Sequence, residues 1–213
     1  MMWHGHAAEG LLAAELTYPV VPIAHTPGTA AAYFAVAIIG VLAPDLDHRE
    51  GKLTHSLGPV TWLLCRAFVY LSKAVYHLTR GPGDAEHTNG HRTLTHTPAF
   101  APVLPLAAWA ALGGANGPAV ACGLLVGWLT HIAGDACTNS GVPALWPLRV
   151  RGASWRHYGI PEWLRFKTGG HGAQGGWEQH GEHIVTALAM VACFVVGAFY
   201  VDPHLLPQIT AAL

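Results

Sequence analysis

Apolar and polar stretches alternate along this chain on a scale that predicts helices. Residues 30–43, 98–112, 118–134 and 184–201 are almost free of charge, and polar connections rich in glycine and histidine separate them. Only the last approaches the roughly 20 residues that a lone spanning helix needs. The shorter stretches span a bilayer if their flanking turns extend them, or else form core helices of a soluble bundle. A weaker candidate runs over residues 7–24; Pro19 and Pro22 interrupt it, which predicts a kinked first crossing. Residues 98–134 break at Gly113-Gly114 and Asn116-Gly117-Pro118 and read as one apolar hairpin. Residues 57–78 interleave apolar side chains with Arg66, Lys73 and His77, the pattern of an amphipathic helix at a membrane interface or, equally, of a surface helix. Residues 81–90 and the glycine-rich 168–176 read as polar connections. No internal repeat or domain boundary is visible, so residues 1–213 form one domain, an all-α, multi-pass transmembrane bundle.

Composition moves the balance toward the membrane. Apolar residues make up 52% of the chain and charged residues only 11%, against roughly 25% charged in soluble domains. A net charge of −1 leaves no basic footprint for nucleic acid. Cys65, Cys122, Cys137 and Cys193 lie far apart in apolar surroundings and read as small buried hydrophobes. The first ten residues lack the basic region and small-residue cleavage site of a signal peptide, so the helices themselves must direct insertion. All 11 lysines and arginines fall within residues 49–92 and 149–167. The hairpin between these stretches returns the chain to the side it left, so both face one compartment, and short basic loops are retained in the cytoplasm.

Histidine changes the picture further: 15 residues, more than lysine and arginine together. Such a composition points to metal or proton handling. Pro44-Asp45-Leu46-Asp47-His48 closes the first apolar segment; alone, it reads equally well as a turn that stops a helix. Gly90-His91-Arg92-Thr93-Leu94-Thr95-His96-Thr97 precedes the second. His91 and His96 are five residues apart, so they meet at one ion only if the backbone bends. His131 and Asp135, four apart, share one helical face at the end of the third segment. Glu182 stands at the entry of the fourth, and His6 just ahead of the weak first helix. In an up-down arrangement all these positions fall on one face of the bundle, and that convergence is a stronger signal than any single motif.

Gly5-His6, then Pro44 to His48, then Gly90 to His96, then His131-x-x-x-Asp135 followed by Thr138-Asn139-Ser140-Gly141-Val142-Pro143 and Trp146-Pro147 resemble, in order, the motifs of the YdjM family of inner-membrane, LexA-regulated, metal-dependent hydrolases. The resemblance covers most of the chain. It implies a helical fold related to zinc-dependent phospholipase C and nuclease enzymes, and a metal site built from His6, Asp45, Asp47, His48, His91, His96, His131 and Asp135. Glu182 fits the family's late acidic position better than Glu178. The expectation is a multi-pass inner-membrane hydrolase with its site facing the cytoplasm. Divalent ions held by mixed imidazole and carboxylate ligands, zinc first, with manganese or iron also suited, would activate water against a phosphoester, most plausibly of a lipid. Asp45, Asp47 or Glu182 would act as base where not a ligand, and Arg92 would hold the substrate anion. A metal-ion transporter is the rival, although carriers place their ion sites near the midplane between repeats. A membrane scaffold with a structural metal is the third reading. No HExxH motif supports intramembrane metalloprotease chemistry.

Overall fold

Thr26 and Thr29 show how locally these helices are specified. The Thr26 hydroxyl accepts from the Thr29 amide at 3.3 Å and the Thr29 hydroxyl from the Thr26 amide at 3.0 Å, with Pro27 as the first helical residue. Two donors that a helix start leaves unpaired are thereby satisfied. The computed structural model describes residues 2–49, 51, 53–114, 116–167 and 176–201. Over these the chain forms α1 (Trp3–Thr17), α2 (Pro27–Leu42), α3 (Pro59–Thr79), α4 (Val103–Leu112), α5 (Asn116–Ala136) and α6 (Gly176–Val201). Short 3-10 turns at Pro44–Asp47, Leu53–His55 and Leu94–His96 punctuate the connections. The described residues hold isolated bridges, such as Val142 with Tyr158, and no strand. Apart from Gly176, the glycine-rich connection expected at 168–176 lies outside the described residues.

Among the described residues three stretches are long and apolar enough to cross a membrane: Pro27–Asp47, Asn116–Ala136 and His180–Gly197, with mean hydropathies of 1.7, 1.4 and 1.5. The first helix differs from expectation. It starts at Trp3 and ends at Thr17, so Pro19 and Pro22 lie in the turn beyond it and kink nothing. The hairpin arms also differ, because residues 97–102 fold into consecutive turns around Pro98 and Pro102. That leaves α4 ten residues, about 15 Å of rise, half the thickness of a bilayer core.

α2 and α5 form the centre of the bundle, with α1 packed on α2, α5 and α6, and α4 packed on α5. Their approach depends on small residues: a Cβ at Gly40 would lie 2.7 Å from the Leu124 carbonyl oxygen, and one at Gly127 would collide with that of Ala37. Backbones this close are the packing mode of helices in lipid. In consequence His131 on α5 reaches the last turn of α2. Away from that end, Ala14, Ile23, Tyr33, Ala37 and Ala119 form an apolar core.

α3 stands apart from the bundle and docks on the three 3-10 turns. Thr61, Cys65, Val69, Ser72 and Tyr76 make its buried face. Val60, Leu63, Leu64, Leu71 and Leu78 are exposed on another side, and Arg66, Lys73 and His77 occupy a third. One face thus docks while an apolar face points outward, the arrangement expected of a helix lying at an interface.

Candidate metal centre

Four separate elements deliver the histidines and aspartates to one end of the bundle. His6 lies in the first turn of α1, Asp45 and Asp47 in the turn that closes α2, and His131 and Asp135 in the last turns of α5. His91 and His96 come from the connection before α4. Their five-residue spacing converges because the backbone bends there: Arg92 adopts φ 52° and residues 94–96 form a 3-10 turn. The two rings end 5.1 Å apart, centroid to centroid.

Proton positions follow from the partners. His131 Nδ1 lies 2.7 Å from the Val41 carbonyl oxygen, an acceptor only, so Nδ1 carries the hydrogen and Nε2 a lone pair. Thr95 donates its hydroxyl to Asp47 Oδ2 at 2.5 Å, which leaves its oxygen to accept from His96 Nδ1 at 3.0 Å. The neutral His96 ring therefore also presents a lone pair at Nε2. These two Nε2 atoms face each other across 3.1 Å, fully buried. Two lone pairs at that distance repel, so the pair needs a cation between them: the proton of a charged His96 or, in its place, a metal ion. Carboxylate oxygens complete the surroundings: Asp45 Oδ1 is 3.7 and 3.6 Å from the His96 and His131 nitrogens, and Asp135 Oδ2 is 3.4 and 3.7 Å from them. Donors bound at 2.0–2.2 Å to one tetrahedral ion stand roughly 3.3–3.5 Å apart. At 3.1–3.7 Å the cluster lies close to that spacing, and it fits a divalent metal.

Charge at His96 tells the same story in protons. Burial opposes a positive ring there, yet Asp47 and behind it Asp135 and Asp45 raise its pKa well above the ordinary histidine value. A site that holds a proton so firmly is arranged for positive charge.

His6 extends the cluster. Its ring stacks on His131 at 3.9 Å; both nitrogens are buried without a well-formed hydrogen bond, Nε2 standing 3.4 Å from Asp135 Oδ1. Orphaned buried nitrogens of this kind are costly unless a ligand takes them. Three sets of donors lie within 4.8 Å of one another: His6 with Asp45 and His131, Asp45 with His91 and His96, and His96 with His131 and Asp135. Thus six of the expected residues come together as candidate ligands.

The remaining expected residues take other places. Asp47 sits behind the cluster, accepting from His91 Nδ1 at 2.8 Å as well as from Thr95, the orienting position of a carboxylate behind a ligating histidine. His48 lies beside His91, with ring centroids 4.6 Å apart, at the edge of the site. Arg92, expected to hold a substrate anion, instead turns inward, donating to Asp135 Oδ1 at 2.9 Å and to Thr138 at 2.8 Å. Glu182 is buried at the start of α1, where it accepts from the Met2 amide, and joins none of the three donor sets.

Glu9 belongs to this region and escaped the sequence reading. One of its carboxylate oxygens is buried without a hydrogen bond, and a Cβ at Gly134 would meet both that oxygen and the His6 ring. Its spacing of three from His6 on one helix face was the available signal.

Comparison with known sequences shows which proteins the chain is similar to. The sequence profile of the family described as YdjM inner membrane protein matches residues 1–204. Inner membrane protein YdjM of Escherichia coli (strain K12) is 34% identical over 119 residues, which is 54% of this chain and 49% of that protein. Its Shigella flexneri counterpart matches to the same extent. Uncharacterized protein YvsG of Bacillus subtilis (strain 168) is 28% identical over 132 residues, 58% of this chain and 68% of that one. The match thus spans about half the length of the two YdjM relatives. No solved structure matches the chain.

Proposed function

The chain belongs to the YdjM inner membrane protein family, and from that premise we propose that it is a membrane-bound, metal-dependent hydrolase of phosphoesters. The facing Nε2 atoms of His96 and His131, ringed by carboxylates, carry the proposal. His96, His131 and Asp135 would hold one ion, zinc suiting the mixed nitrogen and oxygen donors, with manganese or iron also suited. His6, sharing Asp45 and His131, and His91, sharing Asp45 and His96, give room for more than one. When bound, a divalent ion supplies activated water at neutral pH and neutralises charge on a phosphoryl oxygen.

The residues around it have distinct parts. Of the three carboxylates expected as base, Asp47 is sealed and engaged by Thr95 and His91, and Glu182 holds the start of α1. Asp45 alone is open, its side chain 22% exposed, so it is the one placed to take a proton from water. His91 is held by Asp47 through Nδ1 and is 25% exposed, so it is placed to protonate a leaving group. Arg92 positions Asp135. The site faces the cytoplasm in this reading, because the basic stretches 49–92 and 149–167 lie at its end of the bundle.

The test is hydrolysis by the detergent-purified full chain, stripped of metal and then reloaded with zinc or manganese. Metal-dependent release of product from a chromogenic phosphodiester or from phospholipid micelles, lost in His131→Ala, supports the reading. Equal release with and without metal, or by His131→Ala, contradicts it.

A further inference from the structure

A polar hollow of about 720 Å3 opens beside the buried cluster, between the connection after α3 and the turn at residues 150–153. His91 and Thr93 form the side nearest the cluster. Asp84 ties the walls together: its carboxylate accepts from the amides of Gly81 at 2.7 Å, Ser154 at 2.8 Å and Trp155 at 2.9 Å. Trp155 stacks on Trp146 at 5.0 Å, and both indoles donate to the Thr79 hydroxyl, at 3.2 and 3.3 Å. These bonds fix the hollow before anything enters it, and fixed walls lower the ordering cost of binding.

Its lining sets two arginines against one carboxylate, Asp84. With Asp84 spent on three amides, the cations at its rim, Arg151 and Arg156, make no ion pair among the described residues. Arg151 stands at φ 53° and Gly152 at φ 84°, in a two-residue turn closed by the Val150 amide on the Ala153 carbonyl at 2.8 Å. Such a turn favours asparagine or glycine at its first central position; here a guanidinium occupies it and borders the hollow. Inward-turned Arg92 leaves the anion role open, and these two arginines fill it. The volume lies in the range of sites that take small organic ligands, so it accommodates a phosphate together with an attached polar group.

We propose that this hollow is an anion site for the phosphate-bearing polar part of the substrate, with Arg151 and Arg156 as its binding pair. The bound group meets the buried cluster at His91. The word substrate rests on the hydrolase reading; phosphate binding by the two arginines does not.

Detergent-purified full chain, stripped of metal, is titrated calorimetrically with inorganic phosphate. The wild type binds one phosphate saturably. Arg151→Gln and Arg156→Gln each weaken binding about tenfold and the double variant about a hundredfold, as loss of charge-assisted bonds requires. Arg156→Lys recovers part of the loss. Unchanged affinity in the double variant, or no saturable binding by the wild type, overturns the site. Helix content of each variant, followed by circular dichroism, remains that of the wild type. Should phosphate bind through these arginines while the wild type, loaded with metal, cleaves nothing, the anion site stands and the hydrolase reading fails. Competition distinguishes the source of the phosphate. Displacement by short-chain phosphatidic acid in micelles at lower concentration than by glycerol phosphate assigns a lipid headgroup, and equal displacement assigns a soluble phosphoester.

Discussion

The two ends of this bundle are made by the same helices and have opposite chemistry. At one end lie His6, Asp45, His96, His131 and Asp135, with Asp45 and His96 next to the first of the two sequence stretches, 49–92 and 149–167, that hold the lysines and arginines. Toward the other, Ala14, Tyr33, Ala37 and Ala119 pack without a charge among them, and residues 18–26 and 113–116 contain no lysine or arginine. The apolar end supplies the burial that holds the helices together. The polar end exploits the rigidity: α2 and α5 approach so closely that Val41 fixes the tautomer of His131. Stability and chemistry are therefore separable, and mutations at the two ends should fail in different ways.

The largest contrast is between paired substitutions. His131→Ala with Asp135→Ala removes two donors from the cluster, so bound metal falls at least a hundredfold while helix content and membrane insertion persist. Tyr33→Ala instead opens a cavity in the apolar core and costs about 3–5 kcal/mol of stability, by analogy with other large aromatic truncations. Metal per folded molecule stays constant in it. Thermal unfolding followed by circular dichroism, with metal analysis of the folded fraction, separates the two; metal loss in Tyr33→Ala would merge the ends into one unit.

Within the polar end the next largest effect separates proton transfer from ligation. His91→Ala lowers turnover at saturating metal by about a hundredfold, the usual scale of a lost general acid, and leaves the His96–His131 ion in place. If turnover and metal affinity fall together, His91 is chiefly a ligand. Arg92→Ala, by releasing Asp135, weakens metal affinity about tenfold and leaves phosphate affinity near that of the wild type. An effect on phosphate alone would return Arg92 to the anion-binding part.

The smallest effect is protonic. Because the pKa of His96 is raised by Asp47, Asp135 and Asp45, the metal-free site holds a proton at neutral pH, and loading must expel it. Metal affinity therefore rises with pH, by up to about tenfold per unit for one proton, until the pH passes the His96 pKa. Calorimetry in buffers of different ionisation enthalpy measures the release directly; no dependence on buffer contradicts it.

How far the sequence revealed this arrangement depends on whether the deciding contact is local. Charge-free stretches located α2, α5 and α6, and spacing put His131 and Asp135 on one face. Connectivity alone brought His6, Asp45 and His96 to the same end. Local rules failed where tertiary contacts decide. The five-residue gap between His91 and His96 is bridged by a left-handed Arg92, which no propensity favours. The direction of that guanidinium depends on Asp135 and Thr138, more than 40 residues away. The proline-bounded turns at 97–102 shortened α4 in a stretch that the sequence offered as one arm of an apolar hairpin. Glu9 was hidden for a different reason: within a weak, alanine-rich helix one carboxylate reads as solvated, and its burial follows from the close approach of Gly134.

Central to the account is a cation held between His96 and His131, and X-ray absorption on the detergent-purified, zinc-loaded chain tests it most directly. The spectrum should show imidazole scattering with nitrogen and oxygen ligands at about 2.0–2.1 Å, and both the signal and the bound zinc should disappear in His96→Ala with His131→Ala. A chain that takes up no zinc, or a spectrum unchanged in that double variant, would contradict the account.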